Sequence, residues 1–132
     1  MSKRDIDSRN DVELLVHSFY IKIRQDLEIG PFFNQVISDW EEHLEKLVNF
    51  WESTLFGTRN YSGNPILAHI AVDEKFKGTV SPTLFGIWLN YWLQTIDEHF
   101  EGDNAIVLKN RASKIGTVLM VNIFENRKVK SV

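Results

Sequence analysis

The segment SDWEEHLEKLVNFWESTLFG, residues 38–57, predicts the clearest helix in the chain. Ser38 would cap this helix and Glu41 would complete a capping box. Gly57 would end it, because glycine adopts the left-handed backbone of a helix C-terminus without strain. The apolar residues recur at three- and four-residue spacing, which is typical of one buried helix face: Trp40, Leu44, Leu47, Trp51 and Leu55.

A second helical pattern precedes this segment. It would start at a capping box formed by Asn10 and Glu13 and end at Gly30-Pro31. Its apolar stripe consists of Val12, Leu15, Val16, Phe19 and Ile23. The segment PFFNQVI, residues 31–37, is long enough for only a short turn of helix.

Two proline-initiated helices follow. Asn64 is the predicted cap of the first and Pro65 its first residue, a position that proline favours. This helix should be short, because VDEKFKGTV, residues 72–80, reads as loop. Ser81 is the predicted cap of the second helix and Pro82 its first residue. The apolar face of this helix is Phe85, Trp88, Trp92 and Ile96.

A final long helix starts near Asp103. Its predicted buried residues are Val107, Leu108, Ile115, Leu119 and Ile123. No segment predicts a strand, so we expect an all-α fold of four substantial helices and two short ones. Residues 1–132 would form a single domain, with flexible tails at 1–9 and 127–132.

Composition excludes several classes of function. The net charge is −3, so a general nucleic-acid role is not expected. Cysteine is absent, which excludes disulfides, thiol catalysis and thiolate metal sites and favours a cytoplasmic location. The segment MSKRDIDSRND, residues 1–11, lacks the apolar core of a signal peptide, so we expect none. We also expect no membrane span, because no apolar run approaches the length of about 18 residues that a span needs. Aromatic residues make up 12% of the chain, enough either to fill a core or to wall a cavity for a flat apolar ligand.

The chain contains four histidines, which are the candidate metal ligands. His17 lies off its helix stripe and His99 closes a helix, so both are expected on the surface. His43 lies close to an apolar stripe, either as an edge-of-core histidine or as a ligand-facing one. His69 is either a buried imidazole satisfied by a carbonyl or a metal ligand. The carbonyl of Pro65, four residues earlier, is positioned to accept from one ring nitrogen, which would leave the other nitrogen for a metal.

A single histidine among rings and aliphatic side chains suits haem iron best. The chain contains no HxxxH or HExxH pair of the kind that binds zinc, and no grouping of two histidines and a carboxylate for non-haem iron. A porphyrin supplies four iron ligands and needs one from the protein, together with apolar walls. The high aromatic content would then serve to form the apolar walls that the porphyrin needs.

Five motifs in order carry a resemblance to a known family: FY (19–20), GPFFN (30–34), WEEHLEKLVNFW (40–51), YSGNPILAH (61–69) and FGIWL (85–89). The chain resembles the truncated haemoglobins, most closely those of group III, from about Val12 to about Phe124. The resemblance implies a two-over-two helical sandwich around haem b, iron protoporphyrin IX. The double-glycine motifs of groups I and II are absent, which agrees with group III.

The resemblance implies roles for individual residues. His69 matches the proximal ligand of a five-coordinate iron, and Tyr20 the distal tyrosine whose hydroxyl donates to the iron's ligand. His43 matches a distal histidine that either gates access or binds the iron itself, and Trp88 a tryptophan facing the distal side. The expected haem wall, with Phe33 chosen over Phe32, is Phe19, Phe33, Leu47, Phe50, Trp51, Leu67, Phe76, Trp88 and Leu119.

One departure concerns residues 70–84, a connection several residues longer than is usual in group III. It leaves open which of Val72, Phe76 and Val80 touches the porphyrin. By position, the candidate partners of the haem propionates are Lys46, Arg59 and Lys75.

The implied function is binding of oxygen, carbon monoxide and nitric oxide, for oxygen transport or for chemistry on oxygen, peroxide or nitric oxide with a separate reductase. We expect a monomer or weak dimer that contacts neither nucleic acid nor membrane. The alternative is a haem-free helical interaction or sensor module. Such a module should offer an exposed apolar stripe, and the sequence indicates none outside the core faces.

Overall fold

A computed structural model describes residues 3–59, 61 and 63–130, and these are helical wherever they are regular. The predicted all-α class, with four long helices and two shorter ones, is confirmed. The helices are α1 (Arg9–Gln25), α2 (Gly30–Asn34), α3 (Trp40–Phe56), α4 (Pro65–Lys75), α5 (Pro82–His99) and α6 (Asp103–Lys130). Over the described ranges, no helix combines the length and apolar character needed to cross a membrane.

The long helices form two packed pairs. α1 packs on α3, α5 packs on α6, and contacts between α1 and α5 join the pairs. The short helix α4 packs on α6. This arrangement leaves space between α3, α4 and the α5–α6 pair, where the candidate site lies.

Stacked aromatic rings form the centre of the core. The fully buried Trp92 stacks on Trp51 with ring centroids 4.5 Å apart, and Phe19 packs edge-on against Trp92 at 5.0 Å. The Trp92 indole N–H donates to the Leu108 carbonyl at 3.2 Å, so its one polar group is satisfied despite burial. Part of the aromatic content is therefore core, as one of the two interpretations expected.

Three predicted caps are confirmed. Gly57 ends α3 in the left-handed conformation with φ 74°. The Asn64 side chain accepts from the Leu67 amide at 3.1 Å, and the Ser81 hydroxyl accepts from the Leu84 amide at 3.3 Å. The prolines at the first helical positions of α4 and α5 also lie as predicted.

The predicted starts of α1 and α3 are wrong by one or two residues. Ser8, not Asn10, precedes α1, and Asp39, not Ser38, caps α3 through a 3.1 Å bond from the Glu42 amide. Neighbouring polar residues have similar capping propensities, so local sequence alone does not choose between them. The predicted loop at 72–80 is also wrong in its first half, because α4 continues to Lys75.

The reassigned cap of α3 predicts a difference between two neighbouring variants. Asp39→Ala should lower the free energy of unfolding by about 1 kcal/mol, since it leaves a helical amide without its acceptor. Ser38→Ala should change it by less than about 0.5 kcal/mol, as is usual for exposed positions. Urea unfolding of both variants measures the difference, and equal effects would contradict the assignment.

The packing of α6 differs from the prediction at Val107. Leu108, Leu119 and Ile123 are buried, but Val107 is 37% exposed. Val118 and Val121 are also exposed and lie on the same face as Val107 by helical periodicity. The expectation that no apolar face is exposed is therefore wrong for α6, since this long helix meets the rest of the protein along one side.

Both segments predicted as flexible tails contain residues packed against helices. Ile6 is fully buried, and Arg4 Nη1 donates to Asp11 of α1 at 2.8 Å. At the other end, Arg127 lies within α6 and pairs with Asp73 of α4. These contacts join the ends of the described chain to the helical core.

Candidate functional site

A cavity of about 500 Å³ lies among α1, α3, α4, α5 and α6. Its size is within the range of small-molecule and cofactor sites. Most residues predicted for the site line it: Tyr20, Phe33, His43, Leu47, Phe50, Trp51, His69, Trp88 and Leu119. Four helices thus bring polar side chains to a mainly apolar, aromatic cavity.

His69 projects from α4 in the predicted orientation. Its Nδ1 lies 2.6 Å from the Pro65 carbonyl oxygen. Because a carbonyl oxygen only accepts, Nδ1 carries the hydrogen and Nε2 keeps its lone pair. Burial lowers the pKa of His69, so the imidazole is neutral at pH 7. A neutral imidazole with one fixed nitrogen is the form that binds metals.

Tyr20 is buried in the cavity wall formed by α1. Its ring packs edge-on against Phe33, with centroids 5.7 Å apart, and against His43, with centroids 6.1 Å apart. Burial raises the pKa of its hydroxyl, and a hydrogen bond with the Trp88 side chain opposes that rise. A phenol O–H and an indole N–H are both hydrogen-bond donors, and Tyr20 and Trp88 line the same cavity from α1 and α5.

His43 faces the same cavity from α3. Its ring packs against Tyr20 and Trp40, the latter at 5.8 Å between centroids. Burial is the main cause that lowers the pKa of His43, with smaller electrostatic contributions from Lys46 and His69. The structure places the His43 ring on the cavity wall. His17 is exposed, and His99 is half-buried at the end of α5.

Three predicted wall residues do not line the cavity. Phe19 is buried behind it, among Tyr20, Trp88 and Trp92. Leu67 is 62% exposed, because residues two apart on a helix point in nearly opposite directions and His69 points inward. Phe76 packs on Phe32, with ring centroids 4.5 Å apart.

The structure also resolves alternatives that the sequence left open. Phe32 and Phe33 both line the cavity, and Val72 and Val80 line it while Phe76 does not. Of the three candidate propionate partners, Lys46 lies at the cavity. Arg59 is exposed and does not line it, and Lys75 donates to the Gln35 carbonyl at 3.0 Å.

Several lining residues were missed by sequence analysis: Ile29, Val36, Ile37, Tyr61, Leu84, Phe85 and Ile115. Leu84 and Phe85 precede Trp88 by one helical turn, so their spacing was a usable signal. Tyr61 carries no periodic signal because it lies outside a helix, yet its ring packs 5.1 Å from that of Phe50.

The lowered pKa of His43 predicts how stability depends on pH. The unfolded chain takes up a proton near the ordinary value of 6.5, whereas the folded chain does so only at lower pH. The contribution of neutral His43 to the free energy of unfolding is therefore fully present above pH 6.5 and is lost as pH falls from that value through the lower pKa of the folded state. Urea unfolding between pH 8 and 5 should show a smaller loss for His43→Gln than for wild type. The control His17→Gln, at an exposed position, should keep the wild-type slope, and equal slopes for all three proteins would contradict the prediction.

These residues fit a haem. One neutral imidazole offers a directed lone pair, as an axial ligand must, and the aromatic and aliphatic walls suit a flat macrocycle. The polar groups Tyr20, His43 and Trp88 line the same cavity from helices other than that of His69.

Comparison with known proteins agrees with this description. No family model matches the chain. A group 3 truncated haemoglobin of Campylobacter jejuni is 28% identical over 114 residues, which cover 83% of this chain and 86% of the relative. The crystal structure of a group III truncated haemoglobin from Campylobacter jejuni superposes with a TM-score of 0.75 at 27% identity, covering 89% of this chain and 91% of that one. The chain thus has a truncated-globin fold and resembles a group III truncated haemoglobin over most of its length, as its motifs predict.

Proposed function

We propose that the protein binds haem b in this cavity and takes up oxygen, carbon monoxide or nitric oxide there. The observation that carries the proposal is the state of His69. Its Nδ1–H is held by the Pro65 carbonyl at 2.6 Å, and its Nε2 lone pair remains available beside an aromatic cavity of about 500 Å³. The similarity to a group 3 truncated haemoglobin supports the same function.

His69 would hold the iron, and Phe33, Leu47, Phe50 and Leu119 would pack against the macrocycle. Haem b is the form we propose, because covalent attachment uses a C-x-x-C-H motif and the chain has no cysteine. When bound, haem supplies an iron with one coordination position left for a diatomic gas.

Tyr20 and Trp88 form the proposed donor pair for that gas. Both side chains line the cavity, and the phenol O–H and the indole N–H can each donate to a ligand bound there. A hydrogen bond in an apolar cavity is stronger than one in water, because the local dielectric constant is low. His43, which is neutral at pH 7, adds a third polar group. This arrangement favours tight binding and slow release.

Oxidation of nitric oxide or cleavage of peroxide would require electrons from outside this domain. For any turnover we therefore propose a separate reductase as partner. Gas binding itself needs no such partner once the iron is ferrous.

Titration of the purified protein with hemin tests the proposal. We expect a Soret band that saturates at one hemin per chain and shifts on reduction and again on addition of carbon monoxide. A protein that shows no Soret band once excess hemin has been removed would contradict the proposal. It would favour the alternative, a haem-free interaction module, with the exposed Val107, Val118 and Val121 as its contact surface.

A further inference from the structure

An ion pair between a buried carboxylate and a half-buried arginine links the helix that carries His69 to the end of α6. Asp73 of α4 is 2% exposed, and its carboxylate accepts from Arg127 Nη2 at 2.7 Å and from Arg127 Nε at 3.0 Å. The same carboxylate accepts from the Val80 amide at 3.1 Å. Arg127 Nη2 also donates to the Val80 carbonyl. Two side chains thus hold both backbone polar groups of Val80.

These contacts join three parts of the candidate site. Asp73 follows His69 by four residues, so the two share one face of α4. Val80 is itself a wall residue of the cavity. Arg127 belongs to α6, the helix on which α4 packs. A shift of the ion pair would therefore move both the imidazole of His69 and part of the wall.

The backbone beside this ion pair has little intrinsic stability. An isolated helix of the length of α4, 11 residues, is marginal in water. The connection after it contains Lys77, a non-glycine residue with φ 59°, followed by Gly78 with φ 75°. A left-handed conformation at a lysine is costly and persists where surrounding contacts determine it.

We propose that Asp73 and Arg127 are positioning residues that set the orientation of His69 and Val80 in the cavity. The role toward the iron rests on the proposed function, since it takes His69 as the axial ligand. A buried ion pair adds little net stability over apolar residues of the same volume, although removing one partner is strongly destabilising. The contribution of this pair is therefore to select one position of α4 and of residues 76–80.

Hydrogen exchange on the purified full-length protein tests the anchor. Arg127→Met removes both donors, whereas Arg127→Lys keeps the charge and one donor. We expect amides of α4 and of residues 76–80 to exchange at least about tenfold faster in Arg127→Met, because the Asp73 carboxylate is left buried and unpaired. Amides of α1 and α5 should exchange as in wild type, and Arg127→Lys should lie between the two.

Lys128→Met is the matched control. It also replaces a basic side chain of α6 with methionine, one residue later in the helix. Lys128 forms an exposed ion pair of 3.4 Å with Glu125. This variant should exchange like wild type. Asp73→Asn keeps an acceptor for the Val80 amide, and it serves as the second variant if Arg127→Met does not fold.

Spectroscopy of the hemin-loaded protein tests the effect on His69. In Arg127→Met we expect the iron–histidine stretching band of the ferrous, ligand-free form to shift or broaden, with partial return in Arg127→Lys. Transfer of hemin to an excess of an acceptor globin should be about tenfold faster, the usual effect of losing a supporting residue behind a metal ligand.

Unchanged exchange in α4 would overturn the anchor. Faster exchange with an unchanged band and unchanged hemin transfer would overturn the positioning of His69. In both cases a normal wild-type spectrum would leave the proposed function standing. If the wild type takes up no hemin, the proposed function fails first, and the role toward the iron fails with it.

Discussion

His69→Gly is expected to abolish the normal optical spectrum of the hemin-loaded protein. The imidazole of His69 is the group in the cavity that combines a fixed Nδ1–H with an available Nε2 lone pair. Without it the iron loses its protein ligand, and only apolar packing retains the macrocycle. We expect the Soret band to weaken or move, and hemin to be lost to an acceptor globin at least about tenfold faster.

Two controls separate loss of the ligand from loss of the helix. His17→Gly places glycine in the exposed part of α1, where it carries a similar helix penalty of about 1 kcal/mol, and should leave the spectrum unchanged. Free imidazole added to His69→Gly should occupy the vacated volume and restore the wild-type band. A variant spectrum identical to that of wild type would show that His69 is not the ligand.

Tyr20→Phe is expected to speed oxygen release by about tenfold, which corresponds to the loss of one hydrogen bond of about 1.5 kcal/mol. The substitution removes the O–H that donates into the cavity and keeps the ring that packs on Phe33 and His43. Stopped-flow replacement of oxygen by carbon monoxide measures the rate.

Tyr91→Phe is the matched control for this prediction. The Tyr91 hydroxyl donates to Asp26 Oδ2 at 2.6 Å, and Tyr91 does not line the cavity. Its loss should affect stability and leave oxygen release unchanged. The double variant Tyr20→Phe/Trp88→Phe should deviate from additivity, because both side chains line one cavity and would donate to the same bound ligand. An unchanged release rate in Tyr20→Phe would contradict the role of its hydroxyl.

Helix identities and most helix ends were predictable because their signals are local. Asn64-Pro65, Ser81-Pro82 and Gly57 act on backbone groups within one turn, so three or four residues contain the necessary information. The errors have a local cause as well. Ser38 and Asp39 compete for one cap position, and which of them lies at it depends on where the preceding chain turns.

The bond between His69 and Pro65 was predictable for the same reason. An i to i+4 relation on one helix places the imidazole beside the carbonyl without help from the rest of the fold. The placement of Tyr20, His43 and Trp88 around the same cavity followed from the family resemblance of the motifs. Residue spacing alone did not bring these three side chains together.

What the sequence by itself determined is therefore the set of helices, most of their caps and the bond between His69 and the Pro65 carbonyl. Only the tertiary structure decided that Val72 and Val80, and not Phe76, line the cavity, and that Phe19 packs behind it. It also decided that Asp73 pairs with Arg127, 54 residues away. Arg127 belongs to residues 127–132, a segment that the sequence predicts as a flexible tail. Helical periodicity specifies which side of a helix is apolar, but the neighbour that this side meets depends on how helices distant in sequence pack.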